Sequence, residues 1–511
     1  MPVRERMSSV DTAWLRMDRP ENLMTITGVL VFDERVSFAR LRSVVAERLL
    51  AYARFRQRPV TDSSGAYWED DAGFDLDRHL VRARLTGGRT PSALKDMVAS
   101  LASAPIDPAH PLWQFTLVDN YGTGAALVAR IHHCYADGIA LIGVMLSLAD
   151  ETPDIPRKIR VPPSRRSSSE AEGGLLARFF EPMTDAVMYA VKNSGNALEK
   201  YVELVRNPSR LVQFAKVGAA IGAEIAQLAT MPDDSITRFK GKPGVGKRVA
   251  WTAPMPLDEV KAVGRVLGCS VNDVLLASVA GALGSYLRSK GDDTSKTEIR
   301  ALVPVNLRSP GKEHDLGNRF GLVALTLPLG MANPVARVHA LHARMEALKG
   351  SYQAALTLGV LGLLGICPQS IQTQVLDLLA SKATAVMTNV PGPQTPLFVA
   401  GARLASLMFW VPQSGDIGMG VSILSYNNSV QFGLITDAKL TPNPEDIVAR
   451  FAPEFESLLL TVLMEPWDRK RDPTLIESEL IAAASAQPAK SRHAAGPRRP
   501  RLKPSPTTLA E

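Results

Sequence analysis

A run of small and aliphatic residues from Ala125 to Ile131 ends in His132-His133-Cys134-Tyr135-Ala136-Asp137-Gly138, and an apolar segment from Ile139 to Leu148 follows at once. This pattern reads as a strand, a short loop and an apolar helix. Side chains alternate across a strand, so if it runs through both histidines, one imidazole faces a cleft and the other the core. Asp137 is expected to hold the loop through buried hydrogen bonds or an ion pair, and Gly138 to permit the turn into the helix. Such a setting fixes a neutral imidazole near its working pKa, as a general base requires. The same alternation argues against a metal ion shared by His132, His133 and Asp137, so no metal is expected there.

The rest of the chain divides into blocks. Residues 1–150 mix strand-like runs (Ile26 to Phe32, Ala125 to Ile131) with helical ones (Phe38 to Ala51, Ile139 to Leu148), an α/β or α+β pattern. Residues 151–247 form a linker and helical crossover. They begin with Pro153, Pro156, Pro162 and Pro163, and over 175–230 they carry Leu204, Leu211, Phe214 and Val217 at helical spacing. A second α/β block spans 248–465. Residues 466–511 are a C-terminal extension, basic and disordered from about residue 485.

Charge narrows the partners. Of the net +7, five charges come from Lys490, Arg492, Arg498, Arg499, Arg501 and Lys503 against Glu511, which leaves +2 elsewhere. A solvated tail accounts for that run, and no nucleic-acid partner is expected. Cys134, Cys269 and Cys367 lie far apart, in neither a disulfide nor a zinc spacing, so a reducing compartment is expected. The N-terminus shows no secretory h-region. The uncharged run Ala354 to Cys367 falls short of the roughly 20 residues that span a bilayer. It reads as a buried core helix or as an interfacial segment. If the protein meets lipid, this run rather than the tail is the expected contact. Gly241-Lys-Pro-Gly-Val-Gly246-Lys247-Arg248 imitates a phosphate loop but puts Arg248 where a hydroxyl is needed, and it runs into a strand-like Val-Ala-Trp251.

His132-His133-x-x-x-Asp137-Gly138 resembles the signature of acyltransferases related to chloramphenicol acetyltransferase and peptide-synthetase condensation domains. Its surroundings are similar to the bacterial wax ester synthase/diacylglycerol acyltransferase family. Pro111-Leu112-Trp113 precedes the histidines, and Val271-Asn272-Asp273-Val274 follows them. Pro304-Val-Asn-Leu-Arg308, Leu316-Gly317-Asn318-Arg319, Asn389-Val390-Pro391-Gly392-Pro393 and Gly415-Asp416-Ile417-Gly418 then appear in family order. Ser9-x-Asp11, Phe74-Asp-Leu-x-x-His79 and Arg248-Val-Ala-Trp251 also look familiar. The match covers roughly residues 8–465.

The resemblance implies an α/β fold of two chloramphenicol-acetyltransferase-like lobes, with mixed sheets and helices, joined by a helical crossover. An active-site tunnel would run between them. It implies transfer of a long-chain acyl group from acyl-CoA to diacylglycerol, with long-chain alcohols as a second acceptor class. Acyl-CoA is then a substrate, and no cofactor is expected. His133 would be the general base, while His132, Asp137 and Gly138 shape the site. Ser270 and Asp273 are spaced as a capping box, which puts Asn272 in the first turn of a helix as candidate oxyanion donor. Pro111, Trp113, Asn389, Pro391 and Gly392 are candidates for the tunnel wall, with bracing of the sheet the favoured reading of Pro111 and Trp113. Arg308 and Arg319 are candidates for pairing with Asp137 and for meeting coenzyme A phosphates. Cys134 reads as packing, because no acyl-enzyme is required.

The expected location is cytoplasmic, peripheral to the inner face of the membrane or to lipid droplets. Competing readings are a superfamily acyltransferase acting on a polyketide or glycolipid alcohol, a thioesterase-like hydrolase, and a non-catalytic lipid-droplet protein.

Overall fold

A computed structural model describes residues 4–63, 65–153, 231–307, 318–349, 353–365 and 369–464. Most of the expected crossover and the whole C-terminal extension lie outside the described residues. In chain order, the elements that build the site begin with α1 (Ser9–Arg16), β1 (Thr25–Phe32), β2 (Trp113–Val118), β3 (Ala125–His132) and α2 (Gly138–Ser147). Next come β4 (Lys247–Trp251), α3 (Leu257–Leu267), α4 (Val271–Ser289), β5 (Glu298–Asn306) and β6 (Phe320–Pro328). The last are α5 (Pro334–Lys349), α6 (Gln353–Leu364), β7 (Ala385–Pro391), β8 (Ala402–Trp410), β9 (Met419–Tyr426), β10 (Ser429–Asp437) and α7 (Phe451–Leu463).

Two seven-stranded sheets carry the two lobes. The first has β2, β3, β1 and β8 as neighbours, with Leu80–Ala83 at one edge and Phe398–Val399 and Ala149–Asp150 at the other. The second runs Met255–Pro256, β10, β9, β7, β5, β6, with β4 also on β10. It is mixed: β5–β7 and β7–β9 are parallel, whereas β5–β6 and β9–β10 are antiparallel.

The lobes are not contiguous in sequence. β8 comes from the block assigned to the second lobe, yet it pairs with β1 in the first sheet, with Trp410 opposite Thr27. The block at 248–465 thus lends one strand to the sheet of the first lobe. A strand with buried residues at both ends, such as β8, can complete either sheet, and its chain position does not say which.

All eight residues of β3 are buried. Leu127, Ala129 and Ile131 enter one apolar cluster, while Ala126 and Val128 enter another on the opposite face. The alternation read from the sequence is therefore present, but both faces are covered.

The apolar run at Ala354 lies inside the protein, which corrects its expected role as a lipid contact. Leu356, Leu358, Leu361 and Leu364 of α6 are buried. Thr357 Oγ1 accepts from Leu322 N at 2.6 Å, which ties the helix to β6. The approach is close enough that a Cβ on Gly321 would fall 1.7 Å from the Ala354 carbonyl oxygen. Among the described side chains of α6, none is exposed. Among the described residues, no single helix is long and apolar enough to cross a membrane.

Candidate active site

His133 follows the last residue of β3, and its main chain is clamped on both sides. Its N–H donates to Met24 O at 2.7 Å, and its carbonyl accepts from Asn318 Nδ2 at 2.9 Å. The same Asn318 amide donates to Asp11 Oδ1 at 2.8 Å. Burial raises the Asp11 carboxyl above its ordinary range, against the lowering effect of that bond. The Ser9-x-Asp11 and Leu316-to-Arg319 motifs therefore converge on the backbone of His133, a role the sequence did not reveal.

The His133 ring lies against Trp14, with centroids 4.1 Å apart and planes 19° from parallel, and Phe320 packs nearby. Nδ1 is enclosed without a hydrogen-bond partner among the described residues, so Nε2 is the nitrogen left to face the cavity. Burial holds the imidazole pKa down to about 4, opposed by the nearby Asp137 carboxylate. The ring is thus neutral at physiological pH, the form that accepts a proton.

His132 points the other way. Its Nδ1 accepts from Cys134 N at 3.2 Å, and its Nε2 lies 3.7 Å from Asp18 Oδ1. It does not line the cavity. Cys134 is fully buried, and burial pushes its thiol well above the ordinary range, which suits packing.

Asp137 caps α2: Oδ1 accepts from Ala140 N at 3.1 Å, and Oδ2 from the Arg319 main-chain N at 3.0 Å. Arg319 thus meets Asp137 through its backbone N–H, and Arg308 lies outside the described residues. Gly138 is an ordinary first helical residue with no positive φ, which corrects the turn role expected of it. It lines the cavity instead, where a Cβ would meet Val411 at 3.8 Å.

The cavity encloses about 680 Å³ between the lobes. His133, Asp137 and Gly138 share its lining with Asn272, Thr388 and Asn389 of the second lobe. The walls between them are largely aliphatic and aromatic, including Leu275, Val303, Phe320 and Phe409. Asn272 is the second residue of α4, whose capping box forms as the spacing required. Ser270 Oγ accepts from Asp273 N at 3.2 Å, and Asp273 Oδ2 accepts from Ser270 N at 2.9 Å. Asn389, on β7, donates from Nδ2 to Asn272 Oδ1 at 2.7 Å. That bond occupies the Asn272 carbonyl and leaves its own NH₂ to donate elsewhere.

The other tunnel candidates divide. Asn389 and Pro391 line the cavity. Pro111, Trp113 and Gly392 do not, which corrects the expected place of Gly392 and leaves Pro111 and Trp113 the bracing reading favoured for them. Trp113 is fully buried, donating Nε1–H to Phe55 O at 2.8 Å and stacking on His79. Pro111 is buried beside it. Gly392 pairs its N–H with Ser425 O at 2.9 Å, and a Cβ there would approach that oxygen to 2.3 Å. These residues brace strands rather than meet a ligand. Sequence reasoning missed Trp14 as a wall of the base and Lys261 as a cavity residue. A single tryptophan or lysine carries no spacing signal of its own.

The pattern described as the wax ester synthase/diacylglycerol acyltransferase catalytic domain matches residues 7–275, and the WS/DGAT C-terminal domain matches residues 316–459. The chain is 26% identical over 427 residues to “Probable diacyglycerol O-acyltransferase tgs1” of Mycobacterium tuberculosis (strain ATCC 25618 / H37Rv), covering 80% of this chain and 86% of that protein. Its fold is similar to that of the wax ester synthase/diacylglycerol acyltransferase from Marinobacter aquaeolei VT8. The TM-score is 0.62 at 19% identity, covering 90% of this chain and 100% of that one. It is also similar to the first condensation domain of the calcium-dependent antibiotic synthetase in complex with a substrate analogue. There the TM-score is 0.55 at 14% identity, covering 90% and 96%.

Proposed function

The chain belongs to the wax ester synthase/diacylglycerol acyltransferase family, and from that premise we propose that it transfers a long-chain acyl group from acyl-CoA to the hydroxyl of diacylglycerol, and of long-chain alcohols. It is an O-acyltransferase. The observation that carries the mechanism is that a neutral, buried His133 and the hydrogen-bonded Asn272–Asn389 pair line one largely apolar cavity.

An alcohol is a poor nucleophile until its proton is removed. His133 Nε2 takes that proton as the alcohol oxygen attacks the thioester carbonyl. The carbon–oxygen bond forms, and the carbonyl oxygen becomes an oxyanion that needs a donor in a dry site. The Asn272 NH₂, at the positive end of α4, supplies it. On collapse the carbon–sulfur bond breaks, and the imidazolium returns its proton to the departing thiolate. Asp137 stabilises the imidazolium between these steps, consistent with its raising effect on the His133 pKa. Protons and charge balance with acyl-CoA as substrate and no cofactor.

Lys261 is the one lysine or arginine among the described residues that line the cavity. It projects from α3, paired with Asp258 at 2.9 Å, and Val271 and Asn272 at the start of α4 line the same cavity. This suits the phosphates of coenzyme A. The apolar remainder suits acyl and alkyl chains.

The lipid substrates call for a peripheral, cytoplasmic-side contact with membrane or lipid droplet. With α6 buried, the support comes from Leu460, Leu463 and Met464, which form an exposed apolar stripe at the end of α7 just before the basic extension. An assay with radiolabelled palmitoyl-CoA and diacylglycerol, hexadecanol or neither tests the reading. Ester product with an acceptor supports it, and free acid irrespective of acceptor would identify a hydrolase.

A further inference from the structure

One face of the second lobe brings together three metal-type ligands that the reaction does not use, with a fourth beside one of them. Cys269 sits in the link between α3 and α4, directed there by Gly268 in the left-handed region at φ 65°. Asp273 lies four residues on, in the first turn of α4. His339 and His342 lie three apart on α5 and so share one face of that helix. The Cys269 sulfur, an Asp273 carboxylate oxygen and a His342 ring nitrogen all lie within 4.8 Å of one another. His342 Nδ1 is 2.8 Å from Asp273 Oδ2, and Cys269 Sγ is 3.7 Å from His339 Nδ1.

We propose that Cys269, Asp273, His339 and His342 form a zinc-type divalent cation site that clamps the N-terminus of α4 to α5. The donor set is one thiol, two imidazoles and one carboxylate, the mixture a tetrahedral zinc ion accepts. Zinc–sulfur and zinc–nitrogen bonds of about 2.3 and 2.0 Å put tetrahedral ligand atoms about 3.5 Å apart. The Cys269–His339 separation is already close to that value. A cation alone would be disfavoured at a helix N-terminus. Thiolate and carboxylate together cancel its two charges, which removes that objection. Entry is open, because the His342 side chain is 37% exposed and His339 is exposed.

None of the four lines the cavity, so the ion is structural and independent of the acyl-transfer reading. Asn272 lies between two of its ligands, and the ion would fix the helix end from which that side chain projects.

The test uses the full chain, stripped with a chelator and titrated with cobalt(II), then competed with zinc. One equivalent of cobalt should give a near-ultraviolet thiolate-to-cobalt band that zinc abolishes. Cys269→Ser should lose the band, and His339→Ala and His342→Ala should each weaken cobalt binding by about 10-fold or more. No stoichiometric band, or a band that persists in Cys269→Ser, overturns the site.

Discussion

Asn389 and Asn272 are 117 positions apart in sequence, yet the first donates its side-chain amide to the second across 2.7 Å on the cavity wall. The bond fixes which end of Asn272 faces the substrate. Asn272→Ala should lower kcat by about 10²–10³-fold, the cost of losing an oxyanion donor, with a smaller change in KM. Asn389→Ala should lower kcat less, by about 10-fold. Because Asn389 acts through Asn272, the double variant should be no slower than Asn272→Ala alone. Additive losses would show that Asn389 acts on substrate by itself.

His133→Ala should reduce turnover by about 10²–10⁴-fold, with the circular dichroism spectrum retained. A variant keeping more than half of wild-type turnover would remove His133 from the mechanism.

The pH profile follows from burial. The base form of His133 must be present, and its pKa is lowered from 6.5 to about 4. As pH falls, the neutral form therefore persists well below the usual histidine range. The acid limb of kcat/KM should lie nearer pH 4 than 6.5 wherever the fold survives. A limb centred near 6.5 would mean that water enters the site and resolvates the ring.

Lys261→Ala should raise KM for acyl-CoA by about 10-fold while leaving kcat within a few-fold, since it would remove binding shared by ground and transition states. A short acyl thioester lacking the nucleotide should show no such difference. Equal effects on both donors would place Lys261 elsewhere in the reaction.

Gly321→Ala tests the seating of α6. The added Cβ would overlap the Ala354 carbonyl, so the helix must move away from β6. A loss of about 2–3 kcal/mol in a urea titration is expected. An unchanged midpoint would mean that the contact is looser than drawn.

Vesicle flotation separates the α7 stripe from any charge attraction of the basic tail. The basic tail should contribute binding that salt screens, and the α7 stripe binding that survives high salt. A chain ending at Ala484 should lose only the salt-sensitive part. Substituting Leu460, Leu463 and Met464 by serine should lose the rest. Full flotation of that triple variant at high salt would eliminate the stripe as the contact.

The sequence by itself determined the local pieces. The run into His132 and His133, the cap at Asp137 and the capping box around Asn272 are written in near neighbours, and local hydrogen bonding and side-chain alternation decide them. The resemblance to a family supplied the two lobes. Only the tertiary structure decided which pieces meet. Asn318 reaches the carbonyl of His133 across 185 positions, and β8 leaves its own block to complete the first sheet. Leu356, Leu358, Leu361 and Leu364 of α6 suited either core or interface until the fold buried them. Likewise, Cys269 had no partner at a metal-ligand spacing in sequence, and α5 supplies one in space. Burial and long-range pairing depend on how whole elements pack, and no window of neighbouring residues contains that information.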